Sequence, residues 1–135
     1  MALQLSVAVR NARLDAIEAT IGASAVMKIF TGSPPANCAA ADSGTVLATL
    51  ALPSDWMAAA SGGQKSLAGS WQDASADATG TAGHFRIYAN DGTTCGLQGT
   101  ITATGGGGDI ELSSASITSG QSVTITSETI TEGNA

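Results

Sequence analysis

The chain has 135 residues, of which 73 are Ala, Gly, Ser or Thr, and its 11 acidic and five basic residues give a net charge of −6. This length fits one domain, and the charged fraction of only 12% excludes the strongly charged composition of disordered chains. So few cations cannot form the basic stripe that nucleic acids and anionic membranes require, and we expect neither as a partner.

A helix is predicted at the N-terminus, where Ser6 is a suitable N-cap and Gly22 a suitable end. Apolar residues recur on one side of this helix, and two arginines lie one turn apart on the other. We expect the helix either to pack on the sheet that follows or to dock on a partner subunit. The candidate subunit-interface residues are Val7, Arg10, Arg13, Leu14, Ile17 and Ile21. The chain is accordingly divided into an N-terminal helical arm, 1–22, and a β-sandwich domain, 23–135.

Short strands separated by turn residues are predicted beyond the helix. The predicted strands are 25–31, 45–52, 65–71, 83–89, 94–103, 109–112 and 122–131. Asn90-Asp91-Gly92 predicts a hairpin turn, and Ser54 and Asp55 suit the cap of a single helical turn. Crossover helices for a parallel sheet are missing from this pattern. The fold class is therefore mainly β, a single antiparallel β-sandwich or barrel with one N-terminal α-helix.

Strict alternation of apolar and polar residues in these segments predicts which side chains point inward. The predicted inward residues are Ile29, Leu47, Leu50, Phe85, Ile87, Leu97, Ile101, Val123 and Ile125. The aromatic residues Trp56, Trp71 and Tyr88 are expected to anchor the core, whereas an exposed one would indicate a binding surface. The chain is poor in large apolar residues, with 25 Ile, Leu, Val and Phe. We therefore expect a homo-oligomer, in which burial continues across a subunit interface.

Two cysteines, Cys38 and Cys95, lie 57 positions apart in segments rich in small residues. A disulfide between them would close a long loop and contribute about 4 kcal/mol in the chain-entropy model. In a reducing compartment the same residues remain free thiols that behave as small apolar side chains. Both readings stay open.

The residues that could carry catalysis or bind a metal ion are few. His84 is the only histidine, and its strand position predicts a residue on the sheet surface that makes cross-strand contacts. The segment from Asp73 to Gly80 resembles the opening of a calcium loop but lacks its glycine and its final glutamate. Gly105 to Gly108 lacks the Lys-Ser/Thr of a phosphate loop, so a flexible or close-packed connection is expected. We expect no enzymatic activity, no cofactor and no metal ion.

Four segments resemble a known class of proteins. They are LSVAVRNARLDAIEATIGAS at 5–24, PPANCAAADSGTVLATLALPSDWM at 34–57, WQDASADATGTAGHFRIY at 71–88, and the end of the chain from the four glycines onward. Together they are similar to small uncharacterised virion-type proteins of tailed bacteriophages and prophages. The resemblance spans nearly the whole chain and assigns no residue a role.

This resemblance implies a structural protein of the virion, assembled in the host cytoplasm. The expected role is a capsid decoration (cement) protein that binds the outside of the major capsid shell, with the major capsid protein as its partner. The alternative is a structural or adhesion module associated with the tail, the neck or a fibre. Small Ala, Ser and Thr side chains suit the flat contacts of a repeated, symmetric assembly.

Overall fold

The computed structural model describes residues 3–131. This part of the chain is mainly β, with 39% of it in strands, several sheets and one helix. The elements are α1 (Val7–Ile21), β1 (Val26–Thr31), β2 (Val46–Ala51), β3 (Gln64–Ser66), β4 (Trp71–Asp73), β5 (Gly80–Tyr88), β6 (Cys95–Ala103), β7 (Ile110–Leu112), β8 (Ser116–Ile117), β9 (Val123–Ile125) and β10 (Thr129–Thr131).

Both ends of α1 lie where the sequence predicts them. The Ser6 hydroxyl accepts a hydrogen bond from the Val9 backbone N–H at 3.3 Å, which satisfies one of the free donors of the first turn. Gly22 adopts a φ of 96°, and its N–H donates to the Glu18 carbonyl at 2.8 Å. A positive φ of this kind favours glycine, which explains why the helix ends there.

The largest sheet has the order β2-β1-β5-β6-β7, and β8 pairs with β5 as its sixth strand. The predicted hairpin at Asn90-Asp91-Gly92 is confirmed, since it joins the antiparallel pair β5 and β6. The Asp91 carboxylate accepts from the backbone N–H groups of Thr93 and Thr94 and closes this turn. The sheet is open, and the described strands form no closed barrel.

The pairing of β6 with β7 differs from the antiparallel prediction, because these two strands are parallel. Residues 104–109 double back along β6 without a crossover helix. Gly108 packs so closely that a Cβ atom there would lie 2.8 Å from the Thr102 backbone nitrogen, and Glu111 accepts from the N–H groups of Gly105 and Gly107. The glycine run is therefore a close-packed connection, one of the two forms expected.

Two of the predicted strands are each divided in the structure. The prediction 65–71 overlaps the end of β3 and the first residue of β4, and the prediction 122–131 contains β9 and β10. The halves pair with one another as two short antiparallel sheets, β3 with β10 and β4 with β9. The predicted helical turn at Ser54 and Asp55 is wrong, since the segment that follows is extended and Met57 forms an isolated bridge with Leu67.

The core agrees with the alternation in the sequence. Eight of the nine predicted inward residues are buried, and Leu97 is partly buried against them. Trp56, Trp71 and Tyr88 are buried as predicted. The indole N–H of Trp56 donates to the Gly22 carbonyl at 2.9 Å, and that of Trp71 donates to the Trp56 carbonyl at 3.0 Å. These bonds join the end of α1 to the core.

Candidate functional site

The exposed apolar side chains of the described residues are concentrated at the start of the helix. Leu3, Val7 and Val9 are 67%, 47% and 46% exposed, and they are the large apolar residues that the fold leaves open to solvent. We call these three residues the N-terminal apolar surface. Large apolar side chains exposed in this way are candidate contacts for a protein partner.

The rest of the predicted helix interface lies differently. Leu14 and Ile21 are buried and Ile17 is packed against the core, so these residues contact the protein's own strands and loops. Leu14 and Ile21 are therefore not available to a partner subunit, which corrects the prediction for these two. Of the predicted apolar interface residues, Val7 is the one that faces solvent.

The two predicted interface arginines, Arg10 and Arg13, each lie beside another part of the same chain. The guanidinium of Arg10 packs over Gly63, where a Cβ atom would overlap it. Arg13 helps to line a shallow cavity of about 300 Å³ between the helix and the start of β6. Arg10 therefore lies beside the loop before β3, and Arg13, an exposed residue, lies beside β6.

A buried lysine, Lys65, connects β3 to α1. The Lys65 ammonium, 2% exposed, lies 2.7 Å from an Asp15 carboxylate oxygen and 3.2 Å from a Glu18 oxygen. Burial works to lower the pKa of Lys65, but hydrogen bonds to the two carboxylates outweigh it and the pKa is raised. The same carboxylates accept the backbone N–H groups of Ala60 and Met57. The carboxylates on the polar side of the helix therefore bind groups of the same protein.

Residues 32–45 form a loop that covers the face of the large sheet on which Arg86 lies. Arg86 holds this loop in place. This guanidinium is buried and donates to the carbonyl oxygens of Asn37, Cys38 and Ala40 at 3.0–3.1 Å. It also pairs with the Asp42 carboxylate. The side chain therefore holds four separate acceptors of one loop against β5.

Asp42 in turn bonds to a neighbour of Arg86 on the same strand. The Tyr88 hydroxyl donates to the same Asp42 oxygen that Arg86 contacts. Burial and then the hydrogen bond to Asp42 raise the pKa of Tyr88 above its ordinary range. Burial opposes ionisation of Asp42, but the bonds from Tyr88 and Arg86 outweigh it and the pKa of that carboxyl is lowered. Asp42 of the loop is thus held as the charged partner of Arg86 on β5.

The same loop brings the two cysteines together. Their sulfur atoms lie 2.7 Å apart as two thiols, although 57 positions separate them in the chain. Cys38 follows Asn37 in the loop held by Arg86, and Cys95 begins β6 opposite Tyr88. Both side chains are half-buried. The pairing that the sequence left open is therefore geometrically available.

His84 lies in the covered face and not on the surface that its strand position predicts. It is fully buried, its ring stacks on Phe30 at 4.9 Å, and Nδ1 donates to the Gly32 carbonyl at 2.8 Å. Alternation placed His84 on the correct face, but residues 32–45 cover that face. Its Nε2 atom is buried and forms no hydrogen bond within the described residues.

The acidic segment Asp73 to Gly80 serves as a structural link to β2. Asp73 accepts from the backbone N–H groups of Thr49 and Ser75, and Asp77 accepts from the Thr49 hydroxyl. Within residues 3–131, no cluster of three or more His, Cys, Asp and Glu side chains is placed to hold a metal ion. These carboxylates are occupied by hydrogen bonds from the protein itself.

A cavity of about 280 Å³ beside β6 and β10 holds a carboxyl group that sequence reasoning missed. Gln98, Asp109 and Glu128 are among its lining residues. One carboxyl oxygen of Glu128 and the amide oxygen of Gln98 are buried without a hydrogen bond in the described structure. Burial, and then the charge of Asp109, raises the pKa of Glu128 to about 7. Such a group exchanges its proton near neutral pH.

The signal that would have revealed these sites is three-dimensional. Lys65, Arg86 and Glu128 are charged residues in strand or turn segments, where a solvated side chain is the ordinary expectation. Their partners lie tens of residues away in the chain, so no local sequence pattern predicts these contacts.

Comparison with known proteins adds no relative. No family model, no curated protein and no solved structure matches the chain. Among the described residues, the single helix is too short to cross a membrane.

Proposed function

We propose that the chain is a structural protein of a tailed-bacteriophage virion, namely a capsid decoration (cement) protein that binds the outside of the major capsid shell. The observation that carries the proposal is the N-terminal apolar surface of Leu3, Val7 and Val9. This surface docks into an apolar groove on a capsid subunit. The resemblance of the four segments to virion-type proteins supports the same assignment.

The distribution of exposure supports a docking role for this surface. Large apolar side chains elsewhere in residues 3–131 are buried or partly buried, whereas these three lie within seven positions of one another. Covering a half-exposed valine stabilises a complex by about 1 kcal/mol. A homo-oligomer that places several copies of this modest contact on neighbouring capsid subunits gains firm attachment through avidity. This arrangement suits a protein that is added in many copies.

We also propose that the strands form one β-sandwich that presents this surface. The two short sheets, β3–β10 and β4–β9, supply Ile130, Trp71 and Val123 to the same core as Met27 and Ile87 of the large sheet. A shared core between layers is the defining feature of a sandwich. Its small-residue faces suit close contacts between copies in a homo-oligomer.

Binding to virus particles tests the proposal. Purified protein is mixed with heads of the encoding phage that lack it, and cosedimentation and electron cryomicroscopy then give the copy number and position. We expect hundreds of copies on the outer shell. Density confined to the tail, the neck or a fibre, with tens of copies or fewer, would replace the decoration role with the tail-associated one. Absence of binding to every part of the particle would overturn both.

A matched pair of variants assigns the contact. The double variant Val7→Ser with Val9→Ser should lower the affinity about 30-fold, the equivalent of about 2 kcal/mol. The control, Ala8→Ser with Ala12→Ser, changes two exposed positions of the same helix and should bind as the parent does. Equal affinity of the two double variants would show that the N-terminal apolar surface is not the contact.

A further inference from the structure

The two thiols of Cys38 and Cys95 are the reactive pair that the described fold brings into contact. Their sulfur atoms lie 2.7 Å apart, and a disulfide bond is about 2.0 Å long. The two side chains are therefore adjacent, as a disulfide bond requires.

The backbones on both sides are held independently of the sulfurs. Arg86 fixes the loop by donating its N–H groups to the carbonyl oxygens of Asn37, Cys38 and Ala40. Cys95 is paired with Tyr88 in the β5–β6 ladder. The native fold thus holds the two thiols at close range without any help from a covalent bond, which gives them a high effective concentration.

We propose that Cys38 and Cys95 form an intramolecular disulfide in the folded protein, by exchange with a low-molecular-weight disulfide once the surroundings become oxidising. The bond fastens residues 32–45 covalently to the start of β6. It is a covalent modification site and does not depend on the proposed role in a virion.

The exchange has two steps. The thiolate of one cysteine attacks a sulfur of the small disulfide, a mixed disulfide forms, and one small thiolate leaves and takes up a proton. The second cysteine, as thiolate, attacks the protein sulfur of the mixed disulfide, and the second small thiolate leaves and takes up a proton. Two protein thiols lose two electrons, and the small disulfide gains them and becomes two thiols.

Burial influences the rate of this exchange. Burial, together with the neighbouring Cys38, raises the pKa of Cys95 to about 11, so this residue is held as a thiol near neutral pH. The thiolate is the attacking species, and the exchange should therefore accelerate as the pH rises from 7 to 9. In a cytosol the glutathione pool opposes this oxidation.

Equilibration with reduced and oxidised glutathione tests the proposal. The folded protein and the protein in urea are brought to equilibrium, trapped with iodoacetamide and weighed by mass spectrometry. We expect the two thiols of the folded protein to disappear together, with the loss of two hydrogen atoms. The equilibrium constant for the disulfide should be about 30-fold or more higher in the folded protein than in urea, and oxidation should raise the Tm by an amount on the order of 10 °C.

Three results would overturn the proposal. They are equal equilibrium constants in the folded and the unfolded chain, a glutathione adduct that persists on either cysteine of the wild-type protein, and covalent dimers on a non-reducing gel. The variants Cys38→Ser and Cys95→Ser are the controls, because each retains one thiol and can form only the mixed disulfide. Neither should show the rise in Tm on oxidation.

Discussion

Lys65 and Asp15 meet at 2.7 Å although 50 positions separate them, and this contact attaches the N-terminal helix to the strands. The lysine is 2% exposed whereas the aspartate is 49% exposed. The ammonium therefore depends on protein groups for its solvation, and Asp15, Glu18 and the Ala58 carbonyl provide them. The carboxylate of Asp15, by contrast, retains water. The two partners are consequently not equivalent when one is removed.

We predict that Lys65→Met destabilises the protein by about 2 kcal/mol. The methionine fills the same space, but Glu18 is left half-buried without its counter-charge, and removal of one partner of a buried pair is costly. The exposed share of the pair keeps the loss below that of a fully buried one. Urea unfolding followed by tryptophan fluorescence measures this free energy, since Trp56 and Trp71 are both buried.

Asp15→Asn is the matched variant for this prediction. It removes the partner that is half in water, retains Glu18 beside the lysine, and should cost less than 1 kcal/mol. If the two variants lose the same free energy, burial of Lys65 is not what distinguishes them.

A second prediction concerns the loop over Arg86. We expect Arg86→Lys to destabilise the protein by about 3–5 kcal/mol, because one ammonium cannot reach the four acceptors on Asn37, Cys38, Ala40 and Asp42. Thermal unfolding measured by circular dichroism gives the change in Tm.

Tyr88→Phe provides the comparison at the same site. It removes a single hydrogen bond to Asp42 and should cost about 1 kcal/mol. A loss from Arg86→Lys as small as that from Tyr88→Phe would show that the loop carbonyls find other donors, and the central role of the guanidinium would then be wrong.

Capping residues and helical periodicity were sufficient to predict the helix, the turn residues predicted the hairpin, and alternation predicted most of the core. Alternation could not predict where the strands break, because β3 and β4 pair with the distant strands β10 and β9. Alternation also separated His84 from Phe85 correctly, but burial of the polar face depends on a loop that lies about 50 positions away. The parallel pairing of β6 with β7 depends in the same way on the folded path of residues 104–109.

The raised pKa of Glu128 predicts that stability changes with pH. Its folded pKa is about 7 and its ordinary value 4.5, so the folded state binds more protons than the unfolded state between these values. Stability is therefore greatest below about pH 4.5 as far as this group is concerned, falls as the pH rises towards 7, and remains reduced above that. Because part of the carboxyl stays hydrated, we expect a loss of about 1–2 kcal/mol at pH 8.

Glu128→Gln isolates this effect. The variant is uncharged at every pH, so its Tm should exceed that of the parent at pH 8 and should change less between pH 5 and pH 8. Asp55→Asn, which alters an exposed carboxylate, is the control and should retain the parent's profile. A parent profile in Glu128→Gln would assign the pH dependence to a different group.

Close backbone contact at Gly83 leads to a further prediction. A Cβ atom at this position would overlap the carbonyl oxygen of Gly32 and lie 2.8 Å from its nitrogen. Gly83→Ala must therefore shift β5 relative to the neighbouring loop, and we expect a loss of about 3 kcal/mol. Gly92→Ala has open space and bears only the strain of a φ of 72°, which costs about 1 kcal/mol. Urea unfolding of both variants compares overlap with strain, and equal losses would contradict the close contact.

The last prediction distinguishes the buried side of the N-terminal helix from the exposed residues of its first turn. Deletion of residues 1–20 removes Leu14, which is 1% exposed, and both carboxylates that neutralise Lys65. Covering one large apolar side chain contributes about 1.5–3 kcal/mol, and a buried ammonium without partners costs several more. Domains of this size are stable by only about 5–15 kcal/mol, so we expect the truncated chain to lose cooperative unfolding and to precipitate.

Val7→Ser with Val9→Ser should, in contrast, keep the parent's circular dichroism and its Tm within a few degrees, because exposed positions contribute little to folding. Size-exclusion chromatography and thermal unfolding of the two proteins separate the roles: we expect the inner side of the helix to complete the fold and the exposed Val7 and Val9 to contribute only to binding. A truncated chain that remains folded and monomeric, with its Tm unchanged, would instead show that residues 1–22 are a separable arm.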